Sequence, residues 1–169
     1  MSSSVSRLLV VAGAGSYPRL VVGGAKRAGV ETVDVLAVKG SCGWRTRWAA
    51  DHVYPCVAGE SDKAAAWAGQ MGYDGAILAG QVSPLSLFRG KFDETVRGWL
   101  KALPVKNAHT IFGKLVDESE RQGVKLLPAS SYMDDFIPGV GKLTDCDLTD
   151  LERDDVKRGQ EVAADVGRH

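Results

Sequence analysis

The strongest chemical signal is Gly13-Ala14-Gly15-Ser16-Tyr17-Pro18, a glycine turn set between an apolar run and a segment of helical period. Glycine lets the backbone turn sharply and bring its N–H groups close to a ligand. Pro18 suits a first helical turn, where the missing N–H removes no hydrogen bond. The helix N-terminus behind it carries partial positive charge and favours a phosphate. The same residues would also serve a tight strand-to-helix turn that holds nothing. A second turn, Gly80-Gln81-Val82-Ser83-Pro84, follows another apolar run. Gln81 offers a two-way amide and Ser83 a hydroxyl, although Ser83 equally suits the N-cap of a helix begun by Pro84. Ligands in open α/β sheets bind beyond the carboxyl ends of strands, so both turns are expected to open at one edge.

A nicotinamide dinucleotide fits these residues poorly. Pro18 stands where the usual fingerprint has its third glycine. Lys39 and Gly40 end the second apolar run, where an acidic residue should meet the ribose, and Asp34 falls inside that run. A third motif, Lys106-Asn107-Ala108-His109-Thr110, precedes an amphipathic segment that Asn107 or Thr110 is expected to cap. His109 has no His, Cys or carboxylate at metal spacing and reads as a helix-start residue.

Trp44-Arg45-Thr46-Arg47-Trp48 interleaves aromatics with positive charge. Such a segment can touch anionic lipid headgroups or stack on a base. The expectation here is a solvated loop with its tryptophans folded onto the core. The acidic stretch Asp145, Asp147, Asp150, Glu152, Asp154 and Asp155 lacks the glycine hinge and terminal Glu of a calcium loop. It reads as a solvated helix start. Cys42, Cys56 and Cys146 are far apart and odd in number, which points to reduced thiols used as small core residues. The sequence holds no nucleophile elbow and no P-loop.

The elements that must position these motifs alternate. Apolar runs at residues 8–12, 32–38, 53–57, 76–79 and 124–127 are predicted strands. Segments of helical period follow Tyr17, Asp62 and Thr110, and another with Phe92, Val96 and Trp99 ends at Pro104. Residues 130–136 are expected to form helical turns, and residues 138–141 a loop. Thr149-Asp150-Leu151-Glu152 has the capping-box spacing and should start the last helix. The alternation predicts an α/β fold, a Rossmann-like three-layer domain with a mainly parallel sheet, filling residues 1–169 as a single domain.

Composition narrows the function classes. Among 169 residues, 44% are hydrophobic and 25% charged, as in ordinary globular folds. Lys plus Arg and Asp plus Glu both number 21, so no net field draws in nucleic acid. No apolar run reaches the roughly 18–20 residues of a membrane span. The first residues, Met1-Ser2-Ser3-Ser4-Val5, lack the basic region and apolar core of a secretory signal, which points to a cytoplasmic protein.

Taken in order, the motifs resemble a known family. They are residues 12–18, Gly59-Glu60 with Lys63, residues 79–83, residues 107–113 before a helix ending Glu120-Arg121-Gln122-Gly123, and Gly141-Lys142-Leu143-Thr144 before the acidic helix start and Gly159. The combination resembles the amino-terminal domain of the LpxI-type UDP-2,3-diacylglucosamine pyrophosphatases of lipid A biosynthesis, from about Leu8 to Gly167. The resemblance implies a Rossmann-like domain joined to a second α/β domain, with the lipid nucleotide between them. It implies Mg²⁺-dependent attack of water on the α-phosphorus, giving UMP and 2,3-diacylglucosamine 1-phosphate. Substrate contacts are implied at Gly13, Ala14, Gly15, Ser16, Gly80, Gln81, Val82, Ser83, Asn107, Thr110 and Thr144. Gln81 stands where the family pattern has Lys or Asn, and some relatives carry Gly-Asp-Asp near residues 107–109.

The acidic residues for metal and water are expected in a carboxy-terminal domain after His169, so neither catalytic residues nor Mg²⁺ ligands are expected in this chain. On this reading the chain binds UDP-2,3-diacylglucosamine, UMP or UDP, is inactive alone, and makes a peripheral contact with the inner face of the inner membrane. The other reading is a standalone module that binds a nucleotide sugar and performs no chemistry.

Overall fold

The computed structural model describes residues 5–57, 61–82, 98, 108–139, 141 and 144–168. The chain divides into two compact units, Met1–Ile137 and Pro138–His169. In the first, five strands pair in one sheet: β1 Arg7–Ala12, β2 Thr32–Val38, β3 Val53–Cys56, β4 Gly75–Ala79 and β5 Lys125–Leu126. Every pairing is parallel and the order is β3-β2-β1-β4-β5. Strand order therefore reverses between β1 and β4. That reversal leaves a crevice at the carboxyl ends of the strands, the usual ligand position in such sheets.

Alternation along the strands builds one core on each face, because successive side chains of a strand point to opposite sides. Leu8, Val10 and Ala12 join Val33, Val35, Ala37 and Ile77 against Val21, Val22 and Ala25 of helix α1, Tyr17–Arg27. Leu9 joins Leu36, Ala76 and Val124 on the other face, with Ala68 and Trp67 of helix α3, Ser61–Gln70. Both faces being covered explains why the strands read as continuous apolar runs. The Rossmann-like α/β layering expected from the sequence is the observed fold.

Helix α1 carries Pro18 in its first turn and stops at Gly29, whose φ of +85° a side chain would resist. Helix α4, Ala108–Arg121, leads into β5 through Gly123. Residues 134–136 form a short 3-10 turn. The helix expected at residues 92–103 and the one expected to begin at Pro84 lie outside the described residues.

The segment 44–48 departs from expectation. It forms a short helix, α2, Trp44–Ala49, and its tryptophans point outward, Trp44 63% and Trp48 84% exposed. The helical repeat explains this. Thr46 lies roughly opposite both tryptophans around the helix, and it is Thr46 that is buried. Among the three free cysteines, Cys42 and Cys56 are half-buried but Cys146 is exposed, contrary to the core role expected for it. Its neighbours Asp145 and Asp147 keep that segment in water.

In the second unit, helix α5 spans Asp150–Val166. The predicted capping box is present: the Glu152 N–H donates to the Thr149 hydroxyl at 3.4 Å, and the Glu152 carboxylate accepts the Thr149 N–H at 2.7 Å. The Thr149 N–H, and then the Thr149 hydroxyl at 2.7 Å, donate to the Glu152 carboxylate and hold it below its usual range. No residue of α5 is buried.

Candidate anion-binding site

The two glycine turns leave β1 and β4, the strands that flank the reversal, and they are fastened to each other. Ala14 and Gln81 form an isolated antiparallel bridge. The Ala14 N–H donates to the Gln81 carbonyl at 2.6 Å, and the Gln81 N–H returns to the Ala14 carbonyl at 3.0 Å. The Gly13 N–H donates to the Ala79 carbonyl at 2.8 Å and extends the ladder past the end of β1.

This closeness requires glycine. A Cβ on Gly13 would lie 2.3 Å from the Gln81 carbonyl oxygen. On Gly80, at φ +83°, it would lie 2.5 Å from the Ala14 carbonyl oxygen. Gly15 differs, with φ +96° and nothing within 4 Å of its absent side chain. Its backbone therefore stands open to a ligand.

Behind Gly15 begins α1. Ser16 is its N-cap but makes no side-chain cap hydrogen bond, and no acidic residue lies in the first turn. The first N–H groups of a helix have no partner within it, so this end is electropositive and unsatisfied. Gly15, Ser16 and Arg19 line one side of an open pocket of about 250 Å³; Gly43, Trp44, Arg45 and Thr46 line the other. No acidic side chain pairs with Arg19 or Arg45 among the described residues. Guanidiniums and helix N–H groups are the donors that bind phosphate. Nearby, burial pushes the Cys42 thiol up against the pull of Arg47, so Cys42 stays protonated and offers no thiolate.

The pocket is ill suited to Mg²⁺, which takes oxygen ligands and one or two carboxylates. Among the described residues its lining has two arginines and no carboxylate. Among the described residues no three His, Cys, Asp or Glu side chains gather as a metal cluster.

Of the residues singled out in the sequence, the structure brings Gly13 and Ala14 against Gly80 and Gln81, and Gly15 and Ser16 line the pocket beside them. Ser83 and Asn107 lie outside the described residues. Thr110 falls inside the first turn of α4, which begins at Ala108, and so is not its N-cap. Thr144 belongs to the second unit and is exposed. Asp34, set aside as a ribose ligand, is buried inside β2 and taken up by other partners. Sequence reasoning did not place Arg19, Gly43, Trp44, Arg45 or Thr46 at this site. Arg19 follows the glycine turn by one helical turn, which was the available signal. Gly43 and Thr46 reach the pocket only because the chain leaving β2 folds as α2.

Residues 7–136 match the family model of the LpxI N-terminal domain. No curated protein matches the chain. The match takes in the whole sheet, both glycine turns and α2, and it ends just before the second unit begins at Pro138. With well over half of its residues matched, the chain belongs to the LpxI N-terminal domain family.

Proposed function

We propose that this chain is the substrate-binding half of a UDP-2,3-diacylglucosamine pyrophosphatase in lipid A biosynthesis, with the UDP diphosphate held at the joined glycine turns. The observation that carries the reading is the Ala14–Gln81 bridge, which fastens both turns beside the pocket of Arg19 and Arg45. A site fixed by its own backbone loses little conformational freedom on binding. At about 250 Å³ the pocket falls below the roughly 300–1,000 Å³ of whole-ligand sites and suits one anionic portion of a larger molecule. Ser83, Asn107 and Thr110 are assigned to the remainder of the ligand by the family resemblance.

Hydrolysis of the diphosphate also needs a positioned water and stabilised charge at phosphorus. Mg²⁺ would supply charge neutralisation on the phosphoryl oxygens. The family resemblance assigns metal and water to a carboxy-terminal domain. The chain alone then binds the nucleotide without cleaving it.

Calorimetric titration with UDP tests this. Arg19→Ala removes one charge-assisted contact and is expected to weaken binding about tenfold or more. Unchanged affinity, with the fold intact by circular dichroism, would overturn the placement. Incubation with UDP-2,3-diacylglucosamine and Mg²⁺ should release no UMP. Turnover would place catalytic residues in this chain.

A further inference from the structure

Trp44 and Trp48 lie within a helical turn of each other and meet edge to face, ring centroids 6.1 Å apart and planes at 87°. They form the outer ridge of α2. At 100° per residue, Arg45 falls to one side of that ridge and Arg47 to the other, while buried Thr46 anchors the back. The Arg45 guanidinium lies 5.3 Å from the Trp44 ring centroid. Exposed aromatics flanked on both sides by arginine make an interfacial arrangement, with rings at the depth of the headgroups and cations reaching for phosphate. A contiguous exposed apolar patch rimmed by polar residues marks a protein or membrane interaction site.

Charge names the occupant. Residues 35–50 contain Lys39, Arg45 and Arg47 and no acidic residue, and Arg19 faces α2 across the shared pocket. An acidic surface is therefore complementary. The edge-to-face ring pair presents no parallel faces between which a base could lie.

We propose that α2 docks this protein onto an anionic lipid surface through Trp44, Trp48, Arg45 and Arg47. Because Trp44 also lines the pocket, docking sets the pocket mouth at the headgroup layer, where a nucleotide attached to acyl chains is presented. That orientation rests on the diphosphate reading given above, whereas the lipid contact does not.

The test is co-sedimentation of the 169-residue chain with phosphatidylcholine vesicles, with and without phosphatidylglycerol, alongside tryptophan emission. Binding and a blue shift are expected only with phosphatidylglycerol, and added salt should weaken both. Trp48→Ala should lower partitioning about tenfold, and Arg47→Ala about fivefold. Trp48 does not line the pocket, so Trp48→Ala should leave UDP affinity unchanged. Failure to sediment with anionic vesicles, or equal sedimentation of Trp48→Ala, would overturn the proposal. So would a dimer in sedimentation velocity that Trp48→Ala dissociates, because a second copy would then cover the ridge. Vesicle binding that persists while Arg19→Ala binds UDP normally would remove the diphosphate reading and leave the lipid contact standing.

Discussion

Asp34 shows how one buried carboxylate can order the sheet away from the ligand edge. It lies inside β2 with 1% of its surface exposed. Oδ1 accepts the His52 backbone N–H at 3.1 Å and faces His52 Nδ1 at 2.9 Å; Oδ2 accepts the Tyr73 hydroxyl at 2.7 Å. His52 leads into β3 and Tyr73 into β4, so the carboxylate ties three strands near their amino ends. A charge in such a place is tolerated only when its lone pairs are filled. The sequence shows an acidic residue within an apolar run, but its partners are 18 and 39 residues away, beyond any local pattern. Tyr73→Phe leaves Oδ2 unpaired and is expected to lower stability by about 2 kcal/mol in urea denaturation at neutral pH. Burial first, and then the Asp34 carboxylate, push the Tyr73 phenol above its ordinary value. A folded-state pKa raised above the unfolded one gives stability that is complete below about pH 10 and is lost as pH rises further. The gap between Tyr73→Phe and the parent should therefore narrow on the alkaline side, and a constant gap would contradict the assignment.

Helices and strands were legible to different degrees, and length decided which. The strands β1, β2 and β4 are apolar runs bounded by glycine, so their existence followed from the sequence. Both glycine turns were legible for the same reason, since each ends a strand. Helix α2 was not: six residues hold too few repeats for a helical period to show. Nor did the sequence show that the turns hydrogen-bond to each other, because that contact joins residues 14 and 81. Gly80→Ala tests the contact. Its Cβ would press on the Ala14 carbonyl at a backbone angle that side chains resist, at a cost of about 1–3 kcal/mol. Amide exchange at Ala14 should quicken as the bridge opens. Protection equal to the parent's would show that the turn adapts without losing its geometry.

At the scale of the whole molecule, the two units differ in kind. The first encloses two packed cores; in the second, Leu151, Val162 and Val166 of α5 stand 80%, 56% and 70% exposed. The capping box located the start of α5 from sequence, since it is a local motif. Burial of its apolar stripe is a tertiary matter that spacing alone does not reveal. A chain ending at Ile137 should still melt in one cooperative transition, because the first unit encloses both cores by itself. A broad, non-cooperative melt would show that these cores do not suffice. The margins of the sheet carry one more consequence. Among the described residues, the outer strand on one side is β3, with Pro55 within it, and on the other β5, two residues long and opened by Lys125. Proline cannot donate to a growing ladder, and a short charged strand gives little to grow on. Among the described residues neither border offers a second chain a long unpaired edge, which guards this sheet against fibril-like stacking.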